Sequence, residues 1–93
     1  MTMPGEPFVD FQISWRDRCP VPHALLLGYT NGYYGYFPTI LAASRGGYGA
    51  ASAATWVEPG AGERMVDTAL VKAHELLGHL SDLPDDLKGD VYK

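Results

Sequence analysis

Apolar and polar residues alternate over residues 8–15. Val9, Phe11, Ile13 and Trp15 share one face; Asp10, Gln12 and Ser14 share the other with Phe8. A period of two is that of a half-buried strand. Residues 23–29 (HALLLGY) form a short apolar run suited to a strand covered on both faces. Asn31-Gly32 is a tight-turn signal, after which residues 33–37 (YYGYF) return as an aromatic strand that Pro38 stops. The two runs together predict a hairpin. Thr39 can cap a short helix through Ser44, and Gly46-Gly47 ends it. Residues 48–57 are rich in small side chains and fit either strand or loop, with Trp56 as the large anchor. Beyond the break at Pro59-Gly60-Ala61-Gly62, Val66, Leu70, Ala73, Leu77 and Leu80 recur at helical spacing. They predict a helix over residues 63–80, with Glu63 and Asp67 near its positive end. Pro4, Gly5 and Pro7 make residues 1–7 a loop, and residues 81–93 read as a polar tail. No internal repeat is present.

These elements predict a small α+β unit: a short antiparallel sheet of two or three strands with a C-terminal helix. One helix over a short sheet is a thin core, and an aromatic strand at residues 33–37 would be a sticky edge if left unpaired. Both features suggest a unit that packs against more protein.

Length and charge narrow the picture. At 93 residues the chain suffices for one small domain. A hydrophobic fraction of 46% is that of a globular chain. The net charge is −4 with no run of Lys or Arg, which argues against nucleic acid as a partner. Cys19 is the one cysteine, so neither an intrachain disulfide nor a CxxC pair can form. The apolar stretch at residues 24–27 is too short to span a membrane, and residues 1–10 lack the basic and apolar regions of a signal peptide. The compartment stays open, cytoplasmic if the chain is expressed as given. Six tyrosines and two tryptophans suit site walls and interfaces as well as cores.

Most motifs do not survive inspection of their spacing. The helix carries His74-Glu75-Leu76-Leu77-Gly78-His79, similar at first sight to the HExxH zinc motif. That motif needs histidines four apart. Here they are five apart, about 140° around a regular helix, so both rings cannot face one ion from it. The glycine-rich residues 28–35 and 46–49 lack the P-loop and dinucleotide spacings, and no Lys follows to reach a phosphate. Cys19 has no evident base partner, and His23 merely opens an apolar run. Taken alone, Tyr36 is a sheet tyrosine, Tyr48 a turn tyrosine and Glu6 a surface carboxylate.

Four segments in order carry the reading further: Pro4-Gly5-Glu6-Pro7-Phe8; residues 28–39 (GYTNGYYGYFPT); Gly46-Gly47-Tyr48; and Pro59-Gly60-Ala61-Gly62-Glu63. In order and spacing they resemble the neutral/alkaline, non-lysosomal ceramidases, zinc-dependent amidohydrolases, and most closely their compact bacterial branch. The resemblance covers residues 4–80 and implies that residues 1–80 are the C-terminal portion of a larger α/β catalytic domain. It also implies site roles. Glu6 and Tyr36 correspond to zinc ligands, and Tyr48 to a tyrosine that contacts the scissile amide. Tyr33 is the alternative to Tyr36 if the register slips by one motif. The substrate so implied is a lipid amide such as ceramide, and the cofactor is zinc. The family draws its two ligand histidines and an arginine from further upstream, and His23, His74 and His79 do not match them. Gly49 stands where the family often has an acid. The expectation is a part of a ceramidase-like enzyme that is inactive alone. The alternatives are a non-catalytic module that dimerises or binds a partner through its aromatic strand, and a chain that completes an upstream segment supplied separately.

Overall fold

A computed structural model describes residues 1–51 and 55–80. In chain order the elements are β1 (Glu6–Pro7), α1 (Val9–Arg18), β2 (Tyr36–Phe37), α2 (Ile40–Arg45) and α3 (Ala61–Leu76). The class is α+β with a C-terminal helix, as expected. The sheet is parallel, not antiparallel: β1 pairs with β2 in the register Glu6 with Tyr36 and Pro7 with Phe37.

Residues 8–15 are not a strand but most of α1. Phe11 and Trp15, one turn apart, are buried, whereas Val9 and Ile13 are exposed. A stripe at i, i+4 therefore won over a period of two. The charges agree, since Asp10 lies in the first turn and Arg16 and Arg18 in the last, where the helix dipole favours them.

The hairpin does not form either. Asn31 and Gly32 adopt the positive φ expected of a tight turn, at 65° and 129°. The runs on either side pair with residues 1–8 instead of with each other. On one side Leu27 N–H donates to Met1 O (3.0 Å), Met3 N–H to Leu27 O (2.9 Å) and Tyr29 N–H to Gly5 O (2.8 Å). On the other, Tyr34 N–H donates to Pro4 O (2.7 Å), Glu6 N–H to Gly35 O (2.9 Å) and Phe8 N–H to Phe37 O (3.1 Å). The segment expected to be a loop is thus the middle strip of three. Its prolines are compatible because the N–H groups it uses belong to Met3, Glu6 and Phe8. Residues 23–29 are no strand; they contribute an isolated parallel bridge, Thr2 with Leu27. A second bridge, antiparallel, joins Gly35 to Thr55, so the aromatic strand is not an open edge there.

The short helix forms where the sequence places it. The Thr39 hydroxyl accepts Ala42 N–H at 3.0 Å, and Gly46 at φ 78° ends the helix. An oxygen of Glu63, in the first turn of α3, accepts Ile40 N–H at 2.8 Å and ties α2 to α3. The core consists of Met3, Phe11, Trp15, Leu26, Phe37, Val66 and Leu70. It is sealed where α1 meets α3: a Cβ on Gly62 would stand 2.4 Å from Phe11 Cζ, so only glycine admits the ring. Trp15 Nε1 donates to Leu25 O at 3.0 Å, and Arg18 pairs with Asp67 at 2.8 Å across the exposed side of the same joint.

The last helix stops at Leu76 rather than at residue 80, so Leu77 and Leu80 stand exposed. Gly78 at φ 72° turns the chain back, and the His74 and His79 rings meet although a regular helix would hold them apart. Ile40, Leu41, Trp56 and Leu76 are also exposed, as a thin core implies. The expected polar tail at residues 81–93 lies outside the described residues.

Candidate functional site

The parallel register brings Glu6 beside Tyr36 from opposite ends of the first forty residues. Close approach depends on Gly5, because a Cβ there would lie 2.2 Å from Gly35 O. The loop between the strips then closes over Glu6. Tyr29, held at φ 51°, donates its hydroxyl to Glu6 Oε1, and Tyr33 donates to Oε2 at 2.5 Å. Their rings stack at 5.9 Å with 10° between planes, and Trp56 meets Tyr33 edge-on at 5.8 Å. Tyr48 packs edge-on against Tyr36 at 5.5 Å, and Phe8 does so from another side at 6.3 Å. Gly49, at φ 80°, leaves room for that arrangement: a Cβ would stand 3.2 Å from the Tyr36 ring and 3.3 Å from Phe8. Glycine at this position is therefore a backbone requirement of the site.

The cluster is one carboxylate ringed by phenols. Glu6 and Tyr36 are half-buried, while Tyr29, Tyr33 and Tyr48 are exposed at the rim. Hydrogen bonds from Tyr29, then Tyr33, and more weakly Tyr36 hold the Glu6 carboxyl below its ordinary range, against a smaller opposing effect of desolvation. The same bonds stabilise the phenol form of the donors. Tyr29 and Tyr33 are each pushed up to about 12, by their hydrogen bonds to Glu6 first and by desolvation second. Tyr36 is raised by desolvation first, then by the neighbouring Tyr48 hydroxyl and the charge of Glu6.

Glu6, Tyr36 and Tyr48, and the alternative Tyr33, therefore fall in one place. Tyr29 and Trp56 complete the cluster and were not expected there. Tyr29 sat in a run read as a buried strand; the sequence signal for its role was the Asn-Gly turn, which folds Tyr29 and Tyr33 to one side. Among the described residues, no group of three or more His, Cys, Asp or Glu side chains is arranged to hold an ion. No helix among them is long and apolar enough to cross a membrane. Set beside known proteins, the chain matches no family model, no curated protein and no solved structure.

Proposed function

We propose that this chain carries the oxygen-donor part of a zinc-dependent amidohydrolase site of the ceramidase type, acting on the N-acyl bond of a lipid amide. The observation that supports this reading best is the register of Glu6 with Tyr36 across β1 and β2, with the Tyr48 ring against Tyr36. Carboxylate and phenol oxygens are both donors that zinc accepts, so the two residues fit the ion as ligands. A catalytic zinc site uses about three protein ligands. The remaining ones, histidines in the family that the chain resembles, would come from outside the described residues.

When bound, zinc supplies Lewis acidity at the amide carbonyl and brings its water to a pKa of about 7. The chain's own residues prepare the site. Tyr29 and Tyr33 fix the Glu6 carboxylate by holding one oxygen each. For Glu6 to hold an ion, one of these phenols would have to give up its oxygen. Tyr36 keeps its proton while no cation is near, for the reasons given above; a cation beside it reverses that balance. Tyr48, exposed beside Tyr36, supplies a hydroxyl that can donate to the carbonyl oxygen as it gains negative charge. Tyr33 and Trp56 form an aromatic wall against which an apolar chain can lie.

The test is zinc affinity of the purified chain by calorimetry in a His74→Gln/His79→Ala background, which removes the paired imidazoles at the end of α3, alongside Glu6→Ala and Tyr36→Phe in the same background. Weak binding that falls in both variants, with no N-acyl hydrolysis by the chain alone, is the expected result. Zinc binding indifferent to both substitutions refutes the reading.

A second reading is a non-catalytic module that binds a partner or a second copy. It is favoured by the exposure of Tyr34, Tyr48 and Trp56, each more than half open to solvent. Sedimentation decides: a dimer lost in Trp56→Ala, with zinc affinity indifferent to Glu6→Ala, would favour the module.

A further inference from the structure

We infer that His74 and His79 form a two-histidine clamp for a divalent transition-metal ion, separate from the Glu6 cluster. The argument begins with the end of α3. Leu77 N–H still bonds Ala73 O (3.3 Å), but Gly78 N–H bonds Glu75 O (3.0 Å) and His79 N–H bonds His74 O (2.9 Å). The turn needs the positive φ of Gly78, a conformation that suits glycine. It carries His79 back over the last turn and delivers its ring to that of His74. The ring centres are 5.2 Å apart, and the two Nδ1 atoms face each other at 3.0 Å.

Two imidazole nitrogens at that distance cannot both present lone pairs to one another. One must carry a proton that the other accepts. When the protonated ring moves its proton from Nδ1 to Nε2, both Nδ1 lone pairs face one point and a metal ion can lie between them, with no net loss of a proton. Zinc–nitrogen bonds of about 2.0–2.1 Å at a tetrahedral angle put two ligand nitrogens about 3.4 Å apart. The observed spacing is shorter by a few tenths of an ångström. His79 lies beyond the helix and is exposed, so it can yield that much. The neighbouring Glu75 is paired with Lys72 at 3.1 Å, so among the described residues the donor atoms facing one another here are the two imidazole nitrogens. Such a pair suits zinc, nickel and copper rather than magnesium or calcium. With two ligands among the described residues, the ion keeps positions for water or for a further ligand.

Titration of the full chain with zinc chloride at neutral pH, followed through the imidazole C–H resonances by NMR, tests the proposal. His74 and His79 should shift together on one saturating curve, while His23 stays behind as the internal reference. His79→Ala should abolish the shift of His74 over the same concentrations, and His74→Gln that of His79. Helix content from circular dichroism confirms that each variant keeps α3. The Glu6→Gln/Tyr36→Phe double variant should leave the His74 and His79 curves unchanged, which separates this site from the proposed catalytic one. The inference is overturned if His74 responds no more tightly than His23, or if His74 still saturates normally in His79→Ala. It is equally overturned if zinc merely couples two chains through single histidines, seen as a rise in mass that tracks the NMR curve.

Discussion

Gly5 lies hard against Gly35 and Phe37, and Gly5→Ala measures what that closeness sustains. The new Cβ would stand 2.2 Å from Gly35 O and 2.7 Å from Phe37 Cε2, whereas ordinary contact begins near 3.4 Å. A backbone carbonyl cannot rotate away as a side chain can, so relief requires the strips to part by about 1 Å. Three hydrogen bonds lie across that movement: Glu6 N–H to Gly35 O at 2.9 Å, Tyr29 N–H to Gly5 O at 2.8 Å and Phe8 N–H to Phe37 O at 3.1 Å. Losing two of them costs about 1–3 kcal/mol, and residual overpacking adds about 1–3 kcal/mol. Alanine restricts the unfolded chain and returns about 0.4–1 kcal/mol. The net destabilisation is then about 1–5.5 kcal/mol, a large share of the roughly 5–14 kcal/mol typical of a chain this size. Urea denaturation reads the stability. Alkaline titration of tyrosine absorbance reads the site, because Tyr29 and Tyr33 should fall from about 12 back toward 10 once Glu6 moves off them. A Gly5→Ala chain within 0.5 kcal/mol of the parent, with its tyrosines still titrating near 12, would refute the steric account. Gly46→Ala is the control. Nothing lies within 4 Å of its Cβ, so only the backbone conformation, φ 78° and ψ −162°, is penalised, by about 1–3 kcal/mol, and the tyrosine titration stays unchanged.

Phe11→Ala should cost about 3–5 kcal/mol in the same urea assay, because the ring is buried in the joint of α1 with α3 and the glycine opposite cannot refill the space. Glu6→Gln should bring the Tyr29 and Tyr33 titrations of the metal-free chain down from about 12. The pH dependence of stability follows in both directions. Tyr29 and Tyr33 have raised folded values, so their contribution is complete below about 10 and is lost as pH climbs through about 12. Glu6 has a lowered folded value, so its contribution is complete above 4.5 and is lost as pH falls through that lowered value. Both arms should flatten in Glu6→Gln.

Local signals in the sequence were reliable where the determinant is itself local. Thr39 and Gly46 bracket α2 because a hydroxyl cap and a positive φ need nothing from the rest of the chain. The stripe through Val66 and Leu70 identified α3, although the apolar spacing continued past the point where Gly78 ends it. Residues 8–15 misled because Phe11 and Trp15 satisfy a period of two and a spacing of four alike; Asp10 and the arginines, placed for a helix dipole, were the better guide. The hairpin failed for a different reason. Its turn residues behave as turn chemistry demands, but nothing in a turn states which third strip will take the flanking hydrogen bonds. That choice rests on Gly5, whose approach to Gly35 is a tertiary fact. The positions of Glu6, Tyr36 and Tyr48 came from ordered segments of the sequence, while their meeting depends on the same pairing of β1 with β2. The contact of His74 with His79 was hidden by treating the helix as regular to its last apolar residue.

Threading the first residues between two later strips also sets the order in which the protein can assemble. Tyr36 follows its partner Glu6 by about thirty residues, so a loop must close before any strip-to-strip bond is rewarded. Among the described residues no hairpin is available as a quick local nucleus. The second joint, α1 on α3, spans a still longer stretch and buries Phe11 and Trp15 only once Val66 and Leu70 exist to meet them. Pairings so distant in sequence favour slower folding than a hairpin-built sheet of the same length, and the tyrosine–carboxylate cluster can form only with the closure that brings Glu6 to Tyr36.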